Sequence, residues 1–336
     1  MKTYLQKVID RSNLTQPEMT ELMDAVMTGQ VSPVMLAAFL TALRMKGETV
    51  AEIAGAALSM RRHALFVDTG GLPVIDTCGT GGDSLNTFNI STTAALIAAG
   101  AGVRVAKHGN RAMSSRCGSA DVLAALGVKI DATIEVVTDC IREVGIGFLF
   151  APALHPAMKH AGPVRKEMGI RTLFNLLGPL TNPAGARGQI LGVFSAEWTV
   201  PIAGVLKELG SRRALVVHGH DGMDEMTTTA ATRVSELRDG RVTTYEFDPL
   251  PYIRGYAALP ELAGGDPVAN AAIVRGILEG NKGPQRDIAC LNAAGAILVG
   301  GAAPDFGAAF ELAGQAIDSG RARKALDGLV ERTQRG

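Results

Sequence analysis

The 336-residue chain is short of cysteine, of aromatic side chains, of net charge and of long apolar runs, and each shortage removes a class of protein. Its four cysteines, Cys78, Cys117, Cys140 and Cys290, stand at least 23 residues apart without a CxxC pair. That spacing argues for reduced structural thiols and against a disulfide framework or a zinc ribbon. Ten Phe, four Tyr and one Trp are too few for the stacking platforms of single-strand nucleic-acid binders. Lys plus Arg is 33 and Asp plus Glu is 33, so no bulk positive field gathers polyanions, and any bound anion must be held locally. The longest uncharged stretches, such as Ile288–Pro304, fall short of the roughly 18 apolar residues of a membrane helix. The opening MKTYLQKVIDR is charged throughout and lacks the apolar core of a secretory signal. The expectation is a cytoplasmic protein with neither nucleic acid nor membrane as partner.

What is present is a globular balance of 47% hydrophobic and 20% charged residues, with 40 glycines. The first 65 residues carry helix-start signals. Thr15-x-x-Glu18 and Thr49-x-x-Glu52 are capping boxes, and Ser32-Pro33 places a cap before a first-turn proline. Three amphipathic helices in so short a stretch enclose little core alone. Their stripes must pack onto a second subunit or onto the rest of this chain. From about residue 72, short apolar runs alternate with helical segments, as in a parallel α/β sheet. The expected strands are Val74-Ile75, Val103–Val105, Phe148–Phe150, Ile190–Val193 and Leu215–Val217. A hairpin joins Thr232–Leu237 to Arg241–Phe247 around Arg238-Asp239-Gly240. Residues 265–336 return to helix.

The stretch from Asp76 to Thr92, DTCGTGGDSLNTFNIST, reads as a strand, a glycine turn and a helix start near Ser91-Thr92. Turn amides, free amides of the first helical turn and the helix dipole then converge on an anion, which makes a phosphate cradle. No GxxxxGK[ST] is present, and Ser84 stands where a dinucleotide fingerprint needs its third glycine. A second stretch, Val105 to Arg116, follows the next strand and emerges at the same sheet edge. Lys107, Arg111 and Arg116 supply cations there, and Gly109 and the serines supply close contacts, a composition suited to a polyphosphate. After the Leu215–Val217 strand come Asp224 and Glu225, adjacent carboxylates able to share magnesium beside substrate phosphates. His218 and His220 lack a matched third ligand and read as loop residues.

Together GTGGD at 79–83, NIST at 89–92, KHGNR at 107–111, HPAMKHAGPVRKEMGIRTLFNLLGPLTNP at 155–183, the Asp224-Glu225 pair and GPQRDIACLNAAGA at 283–296 resemble the anthranilate phosphoribosyltransferase family over nearly the whole chain. The resemblance implies an α/β fold of the nucleoside phosphorylase/phosphoribosyltransferase type. In it, a large α/β domain with a mostly parallel central sheet (72–336) joins a small all-helical domain (1–65, completed by about 166–183, which includes hinge). The implied reaction transfers phosphoribose from phosphoribosyl pyrophosphate (PRPP) to the amine of anthranilate, an early step of tryptophan biosynthesis, in a homodimer paired through the helical parts. By position, PRPP would be bound by Gly79, Gly82, Asp83, Thr87, Asn89, Ile90, Ser91, Thr92, Lys107, His108, Gly109, Asn110, Arg111, Ala112, Met113, Ser114, Ser115 and Ser119. Anthranilate would be bound by Gly79, Asn110 and Arg165. Two magnesium ions per monomer would be held by Ser91, Asp224 and Glu225.

Such a reaction needs leaving-group stabilisation and alignment more than a strong base, because the arylamine is already neutral. His108 is a candidate proton acceptor or a positioner of the aromatic ring. Ser84 and Leu85 depart from the family's usual glycine-rich bend, which bears on loop motion. Cys78, where an aliphatic residue is frequent, reads as a small buried apolar group. Two alternatives are a pyrimidine nucleoside phosphorylase, which would not need the acidic pair, and a noncatalytic nucleic-acid binder, which would be more basic.

Overall fold

The protein is described from a computed structural model that covers residues 1–83, 85–112 and 116–335. Four helices open the chain: α1 (Lys2–Ile9), α2 (Gln16–Met27), α3 (Pro33–Lys46) and α4 (Val50–Arg62). Both capping boxes form. Thr15 Oγ1 accepts the Glu18 N–H at 3.4 Å while Glu18 accepts the Thr15 N–H at 2.9 Å, and Thr49 and Glu52 repeat the exchange at 3.3 and 2.8 Å. Helix α1 has no side-chain cap, so the logic that finds the other three passes over it.

Seven strands follow: β1 (Ile75–Gly79), β2 (Val105–Gly109), β3 (Ile146–Phe150), β4 (Gly188–Gly192), β5 (Arg213–Gly219), β6 (Thr232–Arg238) and β7 (Arg241–Phe247). They form one sheet in the order β3-β2-β1-β4-β5-β6-β7. The first five are parallel and the last two antiparallel, the hairpin among them. The order reverses between β1 and β4. In such sheets the crevice beyond the carboxyl ends at the reversal is the place where ligands bind.

Two strands run further than their apolar residues announce. β1 continues through Asp76 to Gly79, and β2 begins at Val105 and takes in Lys107 and His108, which the sequence reading assigns to a loop. Ladder bonds to β4 and β3 hold these polar residues in register, as in the pairings Asp76–Gln189 and Lys107–Phe148. His218 likewise ends β5 instead of opening a loop.

On one face of the sheet lies α5 (Ile90–Gly100), buried along nearly its whole length against the helices Pro284–Val299 and Arg321–Arg335. Small residues permit the approach: a Cβ on Gly100 would fall 2.5 Å from the Ala322 nitrogen, and one on Gly295 would meet Ile190 at 2.6 Å. On the other face Leu191, Val193, Ala214 and Val216 share a core with α2–α4 and with residues of the 161–180 segment. Much of the amphipathic stripes of the first helices is thus covered by this chain itself, while Ile9, Val34 and Met45 stay exposed. Among the described residues no helix is long and apolar enough to cross a membrane.

Candidate active site

The carboxyl ends of β1, β4 and β5 meet at the order reversal, and close backbone packing draws them together. The Thr80 N–H donates to Gly192 O at 2.9 Å, and Thr80 Oγ1 accepts the Phe194 N–H at 3.0 Å, which ties the glycine turn after β1 to the end of β4. A Cβ on Gly192 would lie 1.5 Å from the Asp224 carbonyl oxygen, and one on Gly79 would lie 2.7 Å from Asp224 Oδ2, so both glycines are required by the loop that follows β5. That loop is stiffened by Asp221, whose carboxylate accepts from the Met223 N–H at 3.0 Å and the Thr227 hydroxyl at 2.7 Å.

Asp224 and Glu225 therefore reach both halves of the expected cradle. Asp224 Oδ2 accepts the Gly81 N–H at 2.8 Å, and Glu225 Oε1 accepts the Ser91 N–H in the first turn of α5 at 3.2 Å. Burial and the neighbouring Asp83 charge push the Asp224 carboxyl up to about 7. Burial and then Asp224 hold Glu225 well above the ordinary carboxylate range. Three acidic groups thus crowd one end of the crevice, and Thr92 Oγ1, in the first turn of α5, is buried and lacks a hydrogen-bond partner among the described residues. Unneutralised carboxylates in an all-oxygen donor set fit a hard divalent cation such as magnesium. Among the described residues no group of three or more His, Cys, Asp or Glu is arranged to hold a metal alone. Substrate oxygens and water would have to complete the coordination.

Lys107 reaches the same place from β2. Only 2% exposed, its ammonium donates to Thr77 O and lies 3.4 Å from Thr77 Oγ1 and 3.5 Å from Ser91 Oγ. Burial lowers its pKa, against the opposing pull of Asp76, Cys78 and Glu225. Asp76 is fully buried and satisfied: it accepts the His108 N–H at 3.1 Å and the Asn182 amide at 2.7 Å. The Cys78 thiol also donates to Asp76, at 3.5 Å, and accepts from Gln189 at 3.0 Å. Cys78 is half-buried in this polar network, which corrects its reading as a buried apolar group.

The second loop is organised by Asp121, which no sequence signal marked. Its carboxylate accepts from Ala112 N–H and Gly118 N–H, both at 2.9 Å, and pairs with Arg111 at 3.0 Å. Arg111 is thereby engaged within its own loop, and Arg116 is exposed. Asn110 O accepts the Ser119 hydroxyl at 3.3 Å, and a Cβ on Gly109 would strike that hydroxyl at 2.2 Å. Asn89 bridges the loops, donating to Cys117 O at 3.1 Å and accepting from Asn270 at 2.9 Å. Ile90 opens α5 and is buried, while Thr87 pairs with Ala263 through the main chain. Met113, Ser114, Ser115 and Ser84 lie outside the described residues. Leu85 packs against the α5 side of the core.

Arg165, expected to face the acceptor, projects from the helix Gly162–Met168 with its guanidinium 5.2 Å from the Phe174 ring centre, and burial lowers its pKa. His108 Nδ1 lies 3.2 Å from Gly178 O, and its Nε2 lies 3.2 Å from His155 Nε2. The hydrogen-bond pattern assigns the proton to His108 Nδ1, donating to Gly178 O, and leaves Nε2 to accept from His155. Burial, reinforced by His155, pushes His108 down to about 3, and burial takes His155 to about 4. A ring with its lone pair occupied and so low a pKa is a poor proton acceptor, which tells against the base role expected as an option. Sequence reasoning also passed over Arg171. Its guanidinium donates to Gly82 O in the glycine turn and stacks 4.5 Å from the Phe194 ring centre. Although Arg171 lies within the 155–183 stretch, nothing local signals its contact with the glycine turn.

Comparison with known proteins follows the same lines. The family described as "Glycosyl transferase family, a/b domain" matches residues 71–323, and "Glycosyl transferase family, helical bundle domain" matches residues 2–64. An anthranilate phosphoribosyltransferase of Desulfosudis oleivorans is 52% identical over 331 residues, 98% of each chain. The crystal structure of the Thermus thermophilus anthranilate phosphoribosyltransferase superposes with a TM-score of 0.94 at 46% identity, covering 98% of this chain and 99% of that one. The Saccharomyces cerevisiae enzyme in complex with PRPP and Mg gives a TM-score of 0.90 at 28% identity, covering 99% and 98%. With identity sustained end to end and the helical and α/β parts both matched, the chain belongs to the anthranilate phosphoribosyltransferase family.

Proposed function

We propose that this chain transfers the phosphoribosyl group of PRPP to the amine of anthranilate, giving N-(5-phosphoribosyl)anthranilate and pyrophosphate in tryptophan biosynthesis. The observation that carries this is the reach of Asp224 and Glu225, from the loop after β5, to the amides of Gly81 and Ser91. An acidic pair set into an anion cradle makes sense when a divalent cation and a diphosphate arrive together. A nucleoside phosphorylase has no use for it.

In this reading Gly79, Gly82, Asp83, Thr87, the Asn89–Thr92 turn, Lys107 and the loop to Ser119 receive PRPP. The start of α5 directs its amide dipoles at the leaving diphosphate. Ser91, Asp224 and Glu225 hold magnesium, two ions per chain, which when bound neutralises diphosphate charge as the anomeric bond lengthens. Arg165 offers a planar fork to the anthranilate carboxylate, with Asn110 and Gly79 beside it, and His108 sets the edge of the ring pocket. The arylamine attacks as a neutral nucleophile, so alignment carries much of the remaining barrier, up to about 7–11 kcal/mol in favourable cases. The chain acts as a cytoplasmic homodimer paired through its helical part. Residues 1–65 with about 166–183 form a unit that closes on residues 72–336 and keeps water from the sugar cation.

The test is direct: protein, magnesium, PRPP and anthranilate are mixed and the loss of anthranilate fluorescence is followed. Turnover that requires all three additions is expected. Absence of turnover, with phosphate-dependent cleavage of thymidine or uridine in its place, would replace this function with the phosphorylase.

A further inference from the structure

The glycine turn that begins the donor site is held from two directions. From the β4 side, Gly192 and Phe194 take the main chain and hydroxyl of Thr80. From the other side, Arg171 lays its guanidinium over the ring of that same Phe194 and donates to Gly82 O. Gly82 sits at φ +89°, and a Cβ there would lie 2.6 Å from the arginine's terminal nitrogen, so the turn has both the backbone conformation and the open space that this contact needs. The Arg171 carbonyl in turn accepts from Arg44 of α3. One residue therefore links the helical part of the molecule, the segment carrying Arg165 and Phe174, and the diphosphate turn.

Resting on the function proposed above, we propose that Arg171 is a positioning residue for the PRPP site, which holds the 79–83 turn in its ligand-accepting shape from the acceptor segment. A planar guanidinium suits the task because it can stack and donate at once, whereas a lysine can do only one of these well. Preorganising a loop strengthens binding of the ligand it contacts, since less ordering is left to be done on association.

The experiment measures two things on the full chain with magnesium: the Kd of PRPP by calorimetry and steady-state kinetics at saturating anthranilate. Loss of a charge-assisted hydrogen bond and a stack predicts that Arg171→Ala raises Kd and KM for PRPP about tenfold, with kcat changing less than about twofold. Arg171→Lys should recover part of the affinity, to about threefold above the parent. An unchanged PRPP Kd in Arg171→Ala would overturn the proposal. So would a fall in kcat at constant KM. Thermal midpoints of the Arg171 variants should match the parent, and a drop paralleling the Kd change would assign Arg171 a merely structural role. If the parent binds PRPP but does not consume anthranilate, the acceptor assignment falls while the Kd comparison still decides the role of Arg171.

Discussion

The two sides of the crevice carry ionisable groups of opposite sign, and burial disfavours the charged form of each. On the donor side Asp83, Asp224 and Glu225 are gathered at the mouth of the cradle, and burial and mutual repulsion hold the Asp224 and Glu225 carboxyls above their ordinary range. On the acceptor side His108 and His155 are kept neutral by burial, and Arg165 is pressed against an aromatic ring. Proton release from the carboxyls waits for a partner on one side, and proton uptake by the rings is suppressed on the other. In the proposed reading, the raised carboxyl pKa of the donor side is relieved when cation and diphosphate bind, whereas the acceptor side would receive a flat ring with one carboxylate.

The strongest way to break this contrast is to neutralise the donor side. Asp224→Asn with Glu225→Gln should fold, lose turnover by about a thousandfold or more, and melt higher than the parent without ligands at pH 8. The sign follows from the raised carboxyl pKa. A carboxyl that binds its proton more tightly when folded destabilises the fold as pH rises from about 4, its unfolded value, to about 7, where Asp224 titrates, so removing the charge is stabilising above that window. Full activity in this variant would remove the metal assignment. Gly192→Ala tests the close packing that delivers Asp224. With a Cβ destined to lie 1.5 Å from the Asp224 carbonyl, the loop must shift, and kcat/KM for PRPP should fall about a hundredfold by initial-rate kinetics.

On the acceptor side the expected effects are smaller. Arg165→Ala should raise KM for anthranilate about thirtyfold while leaving the PRPP Kd within about twofold, because the fork serves one carboxylate. The histidine pair gives the mildest effect, on stability. Both rings stay neutral in the folded chain down to about 4 and 3 but take protons near 6.5 when unfolded. Stability is therefore fully present above about pH 6.5 and is lost as pH falls towards these folded values, by at most about 1.4 kcal/mol per pH unit for each ring. His155→Gln should flatten this acid limb in chemical denaturation measured between pH 6.5 and 4, and an unaltered limb would contradict the neutral assignment.

Much of this fold was legible because the chain announces its elements locally. Thr15, Ser32 and Thr49 mark three helix starts with side chains that cap them. At least one apolar residue in each of the five parallel strands is visible, though the expected runs overlap β1 and β2 only at Ile75 and Val105, and so are the hairpin strands and the adjacency of Asp224 and Glu225. What stayed hidden depends on neighbours far along the chain. Strands β1 and β2 extend into Asp76, Lys107 and His108 because ladder partners and the Asn182 amide satisfy polar groups that look like loop residues in isolation. Asp121 organises the second loop and Arg171 grips Gly82 across 89 residues, and neither residue type nor spacing reports such a contact in advance.

The central claim is that the ends of β1 and β5 make a site that is incomplete until diphosphate and cation enter together. It is tested most directly by counting bound Mn2+, as a paramagnetic substitute for magnesium, by electron paramagnetic resonance with and without PRPP. Weak binding to the chain alone and two tightly bound ions per chain with PRPP are predicted, with that gain lost in Asp224→Asn/Glu225→Gln. Tight binding without PRPP, or a PRPP-dependent gain that survives removal of both carboxylates, would contradict it.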